Sequence, residues 1–302
     1  MSRNRVLAAL LIIKAKLMER RVLVAGMLFA IFTTSGCASF WLLYPGMAES
    51  NDPHLNPKDA GYSYETVTVT NAQGYQLTGW LFARPGDHGT ALIAGGNAQS
   101  ISSTYSVSRY LINNGFRVLI FSYQGFGNND GHAELTSLIG DAQAFYAFAK
   151  RSNANESIAF VGYSTGAVTG ICLGDREPLS AIVVEGTFNP KTIVEDKHLY
   201  IAMPLDSMFK SAVPDELDTN RCLQGLKSVP VLFLHNRNDP LAPYDSARRI
   251  FDSYQGPKEF IDTRQVSGGA DAHYGSMTDP EARAKVLAFL KHHLASGMDA
   301  SK

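Results

Sequence analysis

Residues 158–171 read IAFVGYSTGAVTGI. Apolar residues run into Ser164, which is fenced by Gly162 and Gly166 and followed by more small residues. A hydroxyl held between two glycines, where a strand gives way to a helix, is suited to nucleophilic attack on a carbonyl. The serine backbone in such a turn is strained, and bulky neighbours would collide with the adjacent elements. The turn lifts the hydroxyl above the sheet and onto a helix N-terminus, whose amide groups favour developing negative charge. Gly-x-Ser-x-Gly alone is a weak signal. Here SIAFVG precedes it and TGAVTGICL follows it, which supplies the strand and the helix that the chemistry needs.

A serine needs a base, and the base needs an orienting acid. For a serine on a strand-to-helix turn, the expected chain order is Ser, then Asp or Glu, then His. His273, His292 and His293 lie beyond the last buried apolar run. His292 and His293 close the amphipathic segment ARAKVLAFLKHHL, where histidine suits the end of a helix dipole. His273 stands in the glycine-containing loop SGGADAHYGSM and is the expected base, with a solvent-facing loop histidine as the plain alternative. The acid should follow VPVLFLH, where Asn236-Arg237-Asn238-Asp239-Pro240 comes next. Asp239 is the choice, to accept the second imidazole proton. The plain alternative is a turn aspartate before proline, and Glu185 and then Asp271 are the competing acids. Two amide donors should hold the oxyanion. One is the N–H of Thr165; the other comes from the loop Gly96-Asn97-Ala98, with Asn97 N–H preferred over an ordinary tight turn.

These groups require a scaffold, and the pattern of the chain supplies one. ETVTVT (65–70) and YQLTGWLFA (75–83) alternate around a turn-like stretch and predict an antiparallel pair. TALIAG (90–95), RVLIFSY (117–123), SIAFVG (157–162), SAIVVEG (180–186) and VPVLFLH (229–235) are continuously apolar, as strands buried on both faces are. KEFIDTR (258–264) reads as a last strand. Helical segments are expected over 101–114, 134–151, 165–174, 243–254 and 279–294. Alternating strands and helices indicate an α/β fold with a mostly parallel sheet. Residues 187–226 break the rhythm. They read either as a small helical insertion over a pocket or as an extra core-packing helix pair.

Composition narrows the field. Of 302 residues, 45% are hydrophobic and 18% charged, and the net charge is −1 with no basic patch. That fits one globular domain over 48–302 and gives no reason to expect nucleic acid as a partner. The three cysteines, Cys37, Cys172 and Cys222, form no CxxC. Cys172 and Cys222 read as apolar fillers near core elements, with a bridge between them as the alternative. No histidine–carboxylate cluster has metal spacing, and GGNA lacks the lysine of a phosphate loop, so no cofactor is expected. Residues 1–47 differ from the rest. Lys14, Lys16, Arg20 and Arg21 precede the apolar run Val22–Phe32, and small residues then lead to Cys37. This is the pattern of an export signal, and MERRVLVAGMLFAIF from Met18 forms one by itself. Thr33-Thr34-Ser35-Gly36 before Cys37 resembles the bacterial lipoprotein processing site, which implies lipidation of Cys37. The resemblance is incomplete, since Thr34 stands where leucine is usual. An uncleaved membrane anchor is the rival. Either form attaches the chain to the cell envelope through its N-terminus and places the domain outside the cytoplasm.

The joint order of GGNA, FSYQGFGNNDG, GYSTG, VEGTF, LHNRNDPLAP and GGADAH resembles the α/β-hydrolases over residues 62–294. It is most similar to their compact, membrane-attached branch. The resemblance implies a mostly parallel eight-stranded sheet flanked by helices, with a small helical insertion after the sixth strand. It also implies catalytic roles for Ser164, Asp239 and His273 and oxyanion roles for Asn97 and Thr165. Three departures stand out. Gly95 occupies the place of a histidine, Ser122 and Gln124 replace a charged pair expected near the site mouth, and His273 falls three residues past the position usual after the Gly268-Gly269 pair. The expected activity is hydrolysis of a small-molecule carboxylic ester or thioester through an acyl-enzyme. A peptidase is disfavoured because no acidic group is placed to bind a peptide amine. The rival is a catalytically inactive binding protein of the same fold, which the altered loops would favour.

Overall fold

The structure, a computed structural model, describes residues 43, 55–97, 99–152, 157–197, 203–263, 272–273 and 279–299. The export-signal stretch and Cys37 lie outside these residues, as do Ala98 and Asp271. Among the described residues, no helix is long and apolar enough to cross a membrane.

Eight strands form one sheet in the order β1-β2-β4-β3-β5-β6-β7-β8. They are β1 Glu65–Thr70, β2 Gln76–Phe82, β3 His88–Ala94, β4 Phe116–Phe121, β5 Ile158–Tyr163, β6 Ala181–Glu185, β7 Val231–Asn236 and β8 Lys258–Thr263. β1 pairs antiparallel with β2, and β2 antiparallel with β4. The remaining pairings are all parallel. The central strands are buried along their whole length, as their unbroken apolar runs require.

The helices are α1 Ile101–Asn113, α2 Leu138–Ser152, α3 Thr165–Gly174, α4 Ile193–Asp196, α5 Met203–Ala212, α6 Thr219–Gly225, α7 Tyr244–Ser253 and α8 Pro280–Asp299. They cover both faces of the sheet. Because successive strand side chains point to opposite faces, Leu92 and Phe160 join the apolar cluster under α2, α3, α6 and α7, while Ile93 and Val161 join the one under α1 and α8. His292 and His293 lie on α8, as the amphipathic pattern predicts.

Ile193 and Val194 early in the insertion, and Phe209, Val213, Cys222 and Leu226 later in it, are buried in the cluster shared with α3, so both halves pack the core. Cys172 on α3 and Cys222 on α6 are joined by a disulfide, with a Cα–Cα distance of 4.9 Å. This overturns their reading as separate apolar fillers. The sulfurs meet because the insertion returns across α3 before β7 begins.

Candidate active site

Only Ser164 separates β5 from α3. Its backbone has φ 54° and ψ −114°, a left-handed conformation that costs a non-glycine residue about 1–3 kcal/mol. The two flanking glycines have separate steric reasons. A Cβ on Gly162 would lie 2.2 Å from Gly166 O, and one on Gly166 would lie 2.3 Å from Ala94 O. The turn is therefore pressed against both its own helix and the end of β3. Ser164 N–H donates to Glu185 O at 2.8 Å, which ties the turn to β6. The residue is 8% exposed.

The acid loop follows β7. Asp239 Oδ1 accepts N–H bonds from Leu241 at 2.7 Å and Ala242 at 2.9 Å, and Asp239 N–H donates to Asn236 O at 3.2 Å. Asp239 Oδ2 is thereby aimed at His273 Nδ1, 2.7 Å away, with both side chains at most 2% exposed. Burial pushes the Asp239 carboxyl up, but the hydrogen bond and charge of His273, the Ala242 amide and His235 outweigh it. The carboxyl is held below the usual carboxylate range. His273 therefore reaches Asp239 despite its displaced place in the loop, with Nδ1 bonded to Asp239 Oδ2. Glu185 is buried at the end of β6. Burial first, and the Glu185 carboxylate second, push the Tyr110 phenol up.

Ser164 and His273 flank the same two residues. Glu185 O holds the serine amide, and a Cβ on the adjacent Gly186 would lie 2.8 Å from His273 Cε1. Gly186 has φ 65°, so both its backbone and the imidazole against it demand glycine. The sequence reading missed this residue. It also missed His235, whose buried ring bonds Ala242 O through Nε2 at 2.9 Å and lies 3.5 Å from Asp239 Oδ2. Burial lowers the His235 pKa, against the pull of Asp239. As a neutral ring donating from Nε2, His235 braces the acid loop.

Thr165 occupies the first turn of α3, where backbone N–H groups have no intrahelical acceptor. Because Gly166 is packed on Ala94 O and Gly95 O, this turn adjoins the loop that carries Asn97. Gln99, also missed, shapes that loop. Its Oε1 accepts from Gly96 N–H at 2.6 Å, and its own N–H donates to Gly96 O at 3.2 Å. Gly95 has a local cause, since a Cβ there would lie 2.3 Å from Thr104 Oγ1 and 3.0 Å from Gln99 Cβ. Gln124 is buried, accepting from Asn71 Nδ2 at 2.8 Å and donating to His132 O at 2.9 Å. Its N–H donates to Asp141 Oδ2 at 2.8 Å, and Asp141 Oδ1 accepts from Asn71 at 2.8 Å. Ser122 is buried too, and its carbonyl accepts from Asn129 Nδ2 at 3.0 Å. Among the described residues, no group of His, Cys, Asp and Glu could hold a metal ion.

Comparison with known proteins bears on the fold. The family model described as serine aminopeptidase, S33, matches residues 87–204. The uncharacterized protein YfhR of Escherichia coli O157:H7 is 25% identical over 266 residues, covering 82% of this chain and 89% of its own length. The lysophosphatidylserine lipase ABHD12 of Mus musculus is 25% identical over 239 residues, covering 72% and 59%. Among solved structures, the esterase Pf2001 of Pyrococcus furiosus superposes with a TM-score of 0.63 at 19% identity, covering 79% of this chain and 96% of that one. With its sheet order, its strained serine turn and these matches, the chain has the α/β-hydrolase fold.

Proposed function

We propose that the chain is a serine hydrolase that cleaves carboxylic ester or thioester bonds through an acyl-enzyme on Ser164. The observation that carries this reading is the buried 2.7 Å contact between His273 Nδ1 and Asp239 Oδ2, beside a serine held in a strained turn. Asp239 fixes the imidazole tautomer, leaving Nε2 as the nitrogen that takes the Ser164 proton. Ser164 Oγ then attacks the carbonyl, and the Thr165 and Asn97 N–H groups hold the oxyanion. The imidazolium returns the proton to the departing alcohol or thiol. Water, activated by the same ring, releases the acid. The likeness to a lysophosphatidylserine lipase points the same way.

The proposal extends to location. A buried disulfide is stable in an oxidising compartment, and with the export-signal pattern of the N-terminus it supports an extracytoplasmic domain held to the membrane. Cys37 would be the lipidation site, or the apolar run an uncleaved anchor. The test is initial rates of the detergent-solubilised full chain on 4-nitrophenyl esters and acyl thioesters of graded length. Saturable release of the carboxylic acid, abolished in Ser164→Ala, is expected. Turnover that survives Ser164→Ala would overturn the assignment.

A further inference from the structure

A cavity of about 360 Å³ lies where α1 meets the start of α8, and none of Ser164, Asp239 and His273 lines it. Its polar lining is Tyr62, Ser106, Arg109, Tyr110, Asn113 and Arg283. Ser106, Arg109, Tyr110 and Asn113 share one side of α1, since residues three and four apart are neighbours on a helix. Arg283 stands in the first turn of α8, whose opening amides at Glu281 and Ala282 donate to Asp279 Oδ1 at 3.0 and 3.2 Å. Tyr62 comes from the segment before β1. Its O–H donates to Asn113 Oδ1 at 2.5 Å, and its ring meets that of Tyr105 edge-on, with centroids 5.9 Å apart. These contacts fix the wall of the cavity.

The lining is rich in hydrogen-bond donors. A guanidinium only donates, and Arg109 and Arg283 bring one each from different helices. Asn113 has spent its carbonyl oxygen on Tyr62, which leaves its amide N–H groups. Burial first, and then the Glu185 carboxylate, push the Tyr110 phenol up, while Arg283 acts the other way. The phenol therefore keeps its proton and can donate it to a hydrogen bond. Among the described residues, no carboxylate lines the cavity. Two cations drawn to one small cavity repel each other, and an anion between them converts the repulsion into attraction. These donors outnumber the two oxygens of a carboxylate, whereas a phosphate presents more oxygens, which arginine forks match in pairs. The volume falls within the range of about 300–1,000 Å³ usual for small-ligand sites. We propose that the α1–α8 cavity binds a phosphate group, either free or carried on a glycerophospholipid headgroup. The inference does not depend on the serine-hydrolase reading.

The test is calorimetric titration of the detergent-solubilised full chain at constant ionic strength. The probes are inorganic phosphate, glycerophosphoglycerol as a deacylated headgroup, and glycerol as the uncharged control. Saturable phosphate binding is expected, with none for glycerol. Arg109→Gln and Arg283→Gln should each weaken it by about tenfold or more, while thermal unfolding in phosphate-free buffer stays as in the wild type. Arg109 is exposed, so its variant keeps the test valid even if Arg283→Gln fails to fold. Tighter binding of glycerophosphoglycerol than of phosphate would support the cavity as a headgroup site, and the reverse order would support it as a site for free phosphate. A wild type that binds neither anion overturns the inference. So does phosphate binding left unchanged in Arg109→Gln, which would place the anion elsewhere on the molecule.

Discussion

At the scale of single residues, the proposed base is positioned by what surrounds it. His273 is held by Asp239 on one side and by the bare backbone of Gly186 on the other. Gly186→Ala should push the ring from its place. With displacements near 1 Å costing up to about 100-fold, kcat on a 4-nitrophenyl ester should fall by about that factor while KM moves little. Asp239→Asn should cost about 10³–10⁴ in kcat, because the amide favours the wrong imidazole tautomer. Wild-type rates in either variant would contradict the placement. Ser164 and Asp239 were legible in the sequence because each sits next to a recognisable strand end. Gly186, Gln99 and His235 were not, since their roles depend on atoms brought from distant parts of the chain. The buried bonding of Gln124 was not legible for the same reason. The β1–β2 turn at Asn71 and Asp141 of α2 close over it, which no local pattern announces.

At the scale of elements, the strands and the main helices follow their sequence pattern to within a few residues, because burial on two faces enforces apolar runs. The insertion resisted such reading. Its lengths and prolines fit a lid or a core-packing pair equally, and only burial in the cluster shared with α3 decides the role of its two halves. The Cys172–Cys222 bridge closes a separation of 50 residues between α3 and α6. Constraining a loop of that size contributes about 2–4 kcal/mol. The reduced protein, or Cys172→Ser with Cys222→Ser, should therefore lose that much stability in urea titration. A mass map of the oxidised protein should show the two cysteines linked, and free thiols at both positions would contradict the bridge.

At the scale of the whole molecule, stability should carry a pH signature from Asp141. Burial raises its pKa from 3.8 to about 6, against the hydrogen bonds from Asn71, the Gln124 amide and Ser137. The folded state thus binds this proton more tightly than the unfolded chain. The resulting advantage is full below the unfolded value and is lost as pH rises through about 6. Between those limits the wild type should lose about 2–3 kcal/mol relative to Asp141→Asn, and parallel stability curves would contradict the assignment. Asp239 behaves in the opposite sense. Its lowered pKa contributes stability above the usual carboxylate range, and that stability is lost only as pH falls through the lowered value.

The most direct measurement is labelling of the folded full chain with a fluorophosphonate probe, mapped by mass spectrometry, for the wild type, Ser164→Ala and His273→Ala. The expected result is a single adduct on Ser164 that is absent from both variants. A folded wild type that takes no label, or an adduct that persists in Ser164→Ala, would contradict the account at its centre.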